Sequence, residues 1–279
     1  MKKLLFICLL SLFALKAAAE DNGPDRPVTS SVMVGGGVAR LTDNYLTPFK
    51  TVGWNTALSF ERIQAARCNP SRMSAWFAMS LDFGRTHNSQ STNGPVWRAM
   101  LHFEGAPLWR FGLFDLPVSM AFGPQLEVDA GIHYRPANSN NPVAAQAAVT
   151  VAPALHAVWR TRMWHLPVSV GYHGSLQMLG VFFAPEYGEL YYEIYLGNHK
   201  NLARFAWPGN RLSYHHLLYA DFHIGATSLR IGYDLHALTQ SASHLATNLL
   251  TNTFMIGITT TRLSINPRKT IDKNIILGL

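Results

Sequence analysis

The sequence predicts an all-β transmembrane antiparallel β-barrel of about ten strands. Three observations predict it: an N-terminal export signal, a series of segments in which every second residue is apolar, and connections that alternate between short and long. The clearest segment begins at Val118. Val118, Met120, Phe122, Leu126, Val128, Ala130 and Ile132 share one face, while Ser119, Gln125, Glu127, Asp129 and His133 share the other. Side chains alternate across a strand, so such a segment has one greasy and one charged face. That suits a closed sheet with lipid outside and a polar interior.

The chain starts Met1-Lys2-Lys3, continues with an apolar run over 4–15 and ends that region with Ala17-Ala18-Ala19. A basic start, a short apolar core and small residues at the cut make residues 1–19 a signal peptide. Cys8 falls too early in the apolar run for a lipoprotein signal. Residues 20–30 then form a short periplasmic segment, 31–264 the barrel and 265–279 a periplasmic tail. No later apolar run approaches the ~20 residues of a spanning helix.

The composition narrows the function. Without Lys2, Lys3 and Lys16, 20 basic residues face 16 acidic ones, a net charge of +4. That excess is too small and too scattered for a nucleic-acid binder. The charged fraction is 14%, and the mean hydropathy of +0.05 is high for a secreted soluble chain. One cysteine, Cys68, remains after cleavage, which excludes an intramolecular disulfide and a Cys–His zinc site of the usual spacing. No cofactor and no metal are expected.

Ten alternating segments follow in order, near 31–41, 52–64, 72–86, 97–110, 117–134, 144–160, 167–179, 212–224, 227–239 and 252–264. The first connection is Thr42-Asp43-Asn44-Tyr45-Leu46-Thr47-Pro48. Later ones of the same parity include 88–95, 136–142, about thirty residues after the seventh segment, and a Ser/Thr/Asn-rich stretch from Gln240. The even connections are tighter: 68–71, 112–116, 162–166 and Gly225-Ala226. Outer-membrane barrels have long extracellular loops and short periplasmic turns. Both termini therefore face the periplasm, and the strand number is even. Outward faces carry Met73, Phe77, Leu81 and Phe83 on the third segment and Leu229, Ile231, Tyr233 and Leu235 on the ninth. Trp54, Trp97, Tyr134 and Tyr214 fall at the outer rim, and Trp109, Phe111, Trp159 and Trp164 at the inner one, as interfacial girdles require. A soluble sandwich has the same period with the greasy face inward. Near-absence of lysine from the segments, polar faces rich in small residues and histidine, and the alternating connections favour the membrane.

Several stretches together resemble a family of uncharacterised outer-membrane β-barrel proteins of the Bacteroidota, a domain of unknown function. They are Asn44-Tyr45-Leu46-Thr47-Pro48, Ala137-Asn138-Ser139-Asn140-Asn141-Pro142, Phe183-Ala184-Pro185-Glu186-Tyr187-Gly188, Tyr191-Tyr192-Glu193-Ile194, Gly197-Asn198 and the closing Phe254-Met255-Ile256-Gly257. The resemblance implies an uncharacterised protein in the outer membrane of a Gram-negative bacterium and no activity. Its partners there are outer-membrane lipid and, during insertion, the barrel-assembly machinery. The final segment ends near Ser264 without the terminal aromatic of many outer-membrane barrels.

The inward parity collects many ionisable groups, among them Glu61, Asp82, Arg98, His102, Glu104, Glu127 and Asp129. On other segments it collects His133, His156, His173, His215, His223 and His236. Buried charges need partners or water. With Gly225-Ala226 as a two-residue turn, Asp221 lies opposite Arg230 as a lumen ion pair, and His215 lies opposite His236 with Asp234 diagonal to it. Asp234-Leu235-His236 puts a carboxylate and an imidazole on one face, so Asp234, His236 and His215, expected near the outer rim, are the candidates for catalysis. Omptin-type proteases place such a pair at their outer rim facing a second acidic pair. Glu127-Val128-Asp129 is the nearest equivalent here, and the segment limits set it too deep. Adjacent His215 and His216 point to opposite faces and cannot share a metal. No HExxH, phosphate loop or Gly-x-Ser-x-Gly elbow occurs.

The long connection 179–211 is the second candidate. Pro185 fits the first turn of a short helix ended by Gly197. Alternation of Leu190, Tyr192, Ile194 and Leu196 fits an added hairpin instead, which makes twelve strands. Tyr187, Tyr191, Tyr192 and Tyr195 are the candidate binding residues for an extracellular ligand. A ten-stranded lumen crowded with His and Arg leaves little room for diffusion. The sequence thus predicts a structural or surface-interaction barrel without catalysis. A surface hydrolase using Asp234 and His236 and a narrow conduit are the alternatives.

Overall fold

The computed structural model describes residues 26–89, 94–112, 116–139, 141–185, 196–197, 202–225, 227–262 and 278–279. Residues 1–25, and with them the signal peptide, lie outside it, as do Tyr187, Tyr191, Tyr192 and Tyr195.

The strands are β1 (Val28–Asp43), β2 (Thr47–Ala65), β3 (Met73–His87), β4 (Val96–Gly112), β5 (Val118–Tyr134), β6 (Val143–Met163), β7 (Leu166–Leu176), β8 (Leu179–Phe183), β9 (Ala203–Ala206), β10 (Arg211–Ile224), β11 (Thr227–Ala242) and β12 (Leu245–Arg262). Every pairing is antiparallel, and β1 meets β12 while β5 meets β6. The sheet therefore closes, and its edges vanish.

The barrel wall has ten staves. β8 takes the edge of β6 where β7 leaves it: Ala154 pairs with Ser175, and Val151 with Leu179. β9 pairs with β8 as β10 pairs with β7. β7–β8 and β9–β10 are thus two staves, each interrupted once. Met178 N–H donates to Val151 O at 3.0 Å and Gln177 N–H to Ser213 O at 2.8 Å, carrying the ladder across the first interruption. The extra residue there, Met178, is a bulge that leaves both Met178 and Leu179 facing outward, while Gln177 keeps the inward parity of His173 and Ser175. The two additional strands flank the segment in which alternation predicted a hairpin, and 186–195, including the expected helix, lies outside the described residues.

The β11–β12 connection is tighter than the sequence reading made it. β11 runs to Ala242 and β12 starts at Leu245. Ser243 and His244 between them have φ of 52° and 63°, the conformation of a two-residue turn whose twist matches the strands. The polar residues after Gln240 are strand, because the hydrogen-bonded ladder continues past the apolar belt.

The stagger can be followed around the wall. Met73 on β3 pairs with Trp109, then the row passes Phe122, Leu155, Gly174, His216, Leu235, Asn252, Val38 and Trp54, and returns to β3 at Arg85. The step from 73 to 85 is a stagger of 12 residues. With a rise of ~3.3 Å per residue and strands ~4.8 Å apart, that tilts the strands by about 40°.

Burial is inverted relative to a soluble protein. Val32, Val34, Leu58, Leu81, Phe122, Leu126, Ile231, Phe254 and Ile256 are exposed on the outside, while Arg98, Gln125, His133, His156 and His173 are buried inside. Each such apolar side chain gains about 1.5–3 kcal/mol on leaving water. A belt of this extent belongs in hydrocarbon.

Candidate functional site

At the long-loop end the lumen is closed by an apolar cluster of Leu41, Leu46, Val96, Ala144, Leu238 and Leu249. Leu46 belongs to the β1–β2 turn. Arg135 Nη1 and Asn138 Nδ2 each donate to its carbonyl at 2.9 Å, which holds the turn inward.

Below this cap, two arginines cross the lumen. Arg98 donates to Asn55 Oδ1, and Asn55 passes the network to Thr253 Oγ1 at 3.1 Å. Arg211 reaches Asp129 Oδ2 at 2.9 Å and Gln177 Oε1 at 3.1 Å, and also bonds Gln240. Gln177, inward by the alternation of β7, is thus what supplies Arg211 with an acceptor.

A polar chamber follows, lined by Asp82, His102, Glu104, Glu127, Asp129, His215, Asp234 and His236. His102 lies between Asp82 (3.3 Å) and Asp129 (2.7 Å). His215 lies between Glu104 (Nδ1, 2.9 Å) and Asp234 (Nε2, 2.6 Å). Gln125 Nε2 donates to Glu104 at 3.2 Å and Glu127 at 3.0 Å, keeping two neighbouring carboxylates bridged. The free volume is about 40 Å³, room for roughly three waters.

The floor is a second polar layer. His173 stacks on Trp76 with ring centres 3.8 Å apart, and Trp76 Nε1 donates to Glu61 at 2.8 Å. Arg230 makes two bonds of 2.7 Å to Asp221 and also bonds Glu61 and Ser31. Its guanidinium lies 3.7 Å over the Tyr219 ring. The register sets Asp221 opposite Arg230 and His215 opposite His236.

The chamber corrects two expectations. Asp234, His236 and His215 stand at mid-lumen, beneath the Arg211 layer, instead of at the outer rim. Glu127 and Asp129 line the same chamber, because the stagger raises β5 relative to β11 by an amount that strand limits do not reveal. The Asp-x-His spacing also fails to join its own two members: Asp234 bonds His215, and His236 Nε2 meets Ser213 Oγ at 2.9 Å. Both ring nitrogens of His215 are taken by carboxylates, so neither is free to accept a proton from a substrate. Among the described residues no group of three or more His, Cys, Asp or Glu could hold a metal ion.

Several residues escaped the sequence reading. Arg211, Ser213, Ser169 and Ser228 all share the inward parity of residues that were singled out. Trp76 has the parity of Asp82 and Gln177 that of His173, although a Trp on its own reads as interface.

Residues 3–269 match the family described as Protein of unknown function (DUF3316), and the chain belongs to that family. No curated protein matches. Among solved structures, the outer membrane protease OmpT from Escherichia coli is similar at 7% identity and a TM-score of 0.45, over 88% of this chain and 99% of that one. An outer membrane channel from Pseudomonas putida F1 is similar at 14% identity and a TM-score of 0.37, over 88% and 98%. The β domain of the Bordetella autotransporter Brka is similar at 9% identity and a TM-score of 0.39, over 85% and 99%.

Proposed function

We propose that this member of the DUF3316 family is a non-conducting barrel of a Gram-negative outer membrane that acts through its extracellular loops. The observation that carries this reading is the closure of the lumen. An apolar cap, the Arg98 and Arg211 layer, a chamber of about 40 Å³ and the Arg230 floor follow one another along the axis. These layers narrow the path for ions and solutes and leave little space for a substrate beside Asp234 and His236. On the loop motifs around Asn44, Ala137 and Phe183, its source lies in the Bacteroidota.

The loop side favours presentation. β8 and β9 carry two staves beyond the point where β7 ends, so the connection between them starts high on the wall. Phe205 and Trp207 on this extension are exposed, Phe205 on the outward face with Val181. Tyr187, Tyr191, Tyr192 and Tyr195 are the residues we assign to ligand contact. Planar-bilayer recording of the folded barrel tests closure: no step conductance is expected, and reproducible steps sink the reading. Capture of surface components by the intact barrel, lost on deletion of 186–195, tests the loop; equal capture by the deletion variant removes its role.

A further inference from the structure

Beneath the Arg230 floor, toward the periplasmic end, lies a second cavity of about 270 Å³ with Leu279 in its wall. His223 stands in its wall between two hydroxyls. Its Nε2 is 2.7 Å from Ser169 Oγ, and its Nδ1 is 2.7 Å from Ser228 Oγ. The register produces this: His223 pairs with Ser228 across β10–β11, while Ser169 is two pairs away across β7–β10, opposite Asp221. All three residues share the inward parity and line the cavity.

A neutral imidazole has one N–H and one lone pair. One hydroxyl therefore donates to His223 and the other accepts from it. Hydroxyl, imidazole and orienting group in hydrogen-bonded sequence is the arrangement that activates a serine nucleophile. The electrostatics distinguish the two serines. Ser169 pairs across β6–β7 with Arg160, whose Nη1 donates to Ser119 Oγ at 2.9 Å and whose side chain lines the same cavity. A cation there stabilises negative charge developing beside Ser169. Ser228 pairs instead with Thr259, whose hydroxyl is given to Asp221 at 3.2 Å.

We propose that Ser169, His223 and Ser228 form a periplasm-facing site that hydrolyses carboxylic esters. Ser169 is the nucleophile, His223 the general base, and Ser228 the positioning residue that accepts from His223 Nδ1–H. Ser169 Oγ attacks the ester carbonyl and its proton passes to His223 Nε2. The tetrahedral oxyanion faces Arg160. The C–O bond to the alcohol then breaks, the alcohol leaves with the proton from Nε2, and an acyl ester remains on Ser169. Water attacks that ester, giving one proton to His223 Nε2; collapse releases the carboxylic acid and returns the proton to Ser169 Oγ.

The cavity selects the substrate class. Its volume is below the ~300–1,000 Å³ of drug-sized ligand pockets, which limits it to a short acyl group, and Ile63, Val158 and Val168 give that group an apolar wall. The carboxylate nearest in sequence, Asp221, is committed to Arg230, so a hydroxyl faces His223 Nδ1 where a Ser-His-Asp array has its carboxylate. An ester, with its better leaving group, matches this arrangement better than an amide.

This inference is independent of the loop reading, since it concerns the opposite end of the barrel. The test uses the full-length folded barrel, a fluorophosphonate probe with peptide mapping, and p-nitrophenyl butyrate hydrolysis. Ser169 is expected to carry the label. Ser169→Ala and His223→Ala are each expected to lower kcat/KM at least ~100-fold, with heat-modifiable gel mobility confirming folding. Ser228→Ala is expected to lower kcat about tenfold with KM unchanged, a split that general loosening does not produce. Asp234→Asn, in the separate chamber, is expected to leave hydrolysis unaltered. Absence of label on Ser169 in the wild-type barrel overturns the proposal whether or not any variant folds. Label on Ser228, or undiminished hydrolysis by Ser169→Ala, also overturns it.

Discussion

His133 Nδ1 lies 2.6 Å from Asp43 Oδ2, with both side chains only 2% exposed. The pair joins β5 to the end of β1 across the lumen. The other Asp43 oxygen accepts from Tyr45 N–H at 3.1 Å, so one carboxylate anchors both the wall and the turn that carries Leu46 into the cap. Asp43→Ala is expected to destabilise the barrel by about 3 kcal/mol, because it strands a buried imidazole and a backbone N–H. A lower urea midpoint for the loss of heat-modifiable mobility checks this. An unchanged midpoint means that the cap holds without its anchor.

Arg230 is the tie at the other end of the chamber. It satisfies Asp221 through two bonds and also Glu61 and Ser31. Arg230→Ala leaves two buried carboxylates without their cation, at a cost of about 3–5 kcal/mol. Adding Glu61→Gln and Asp221→Asn removes the uncompensated charge and is expected to recover part of the loss. Urea titration of the single and triple variants gives the difference, and a triple variant no better than the single one contradicts the account.

The lipid face carries polar pairs of its own, Tyr172 with His216 and Tyr233 with Asn252 among them. Tyr172 OH is 2.5 Å from His216 Nδ1, and both residues have the outward parity of their strands. Hydrocarbon offers no replacement hydrogen bond. Tyr172→Phe is expected to cost about 1–3 kcal/mol by leaving His216 without that partner. The double variant Tyr172→Phe with His216→Leu removes both groups and is expected to match or exceed the wild type. A double-mutant cycle on unfolding free energies decides, and additive losses count against the pairing.

Linear dichroism in the amide I region of oriented bilayers is expected to report strands tilted by about 40°, the value that a 12-residue stagger over ten staves demands. A mean tilt near 25° requires a smaller stagger, and with it a different set of residues meeting across the lumen.

Much of the wall was legible beforehand because a strand exposes its period directly. Phe77 and Leu81 face out and Asp82 faces in for one reason, the alternation of side chains along β3. The two-residue turn after Ile224 likewise made Asp221 and Arg230 neighbours, since a tight hairpin leaves only one register. Strand ends were less legible. Ser243 and His244 adopt a turn without glycine, and the polar residues flanking them look like loop although they pair. The bulge at Met178 has no local signature, because its cause is the ladder that β6 and β10 impose from either side.

Parity along each strand is a local property, so the residues alone determined which side chains face lipid and which face the lumen. Depth is not local. Closing ten tilted strands into a ring forces a cumulative stagger, and that stagger decides which inward residues share a level. Asp129 meets Arg211, Glu104 meets His215, and Glu61 meets Arg230 although 82, 111 and 169 positions separate them. Only the closed barrel brings those groups to one height, because their alignment belongs to the ring as a whole and to no single strand or hairpin.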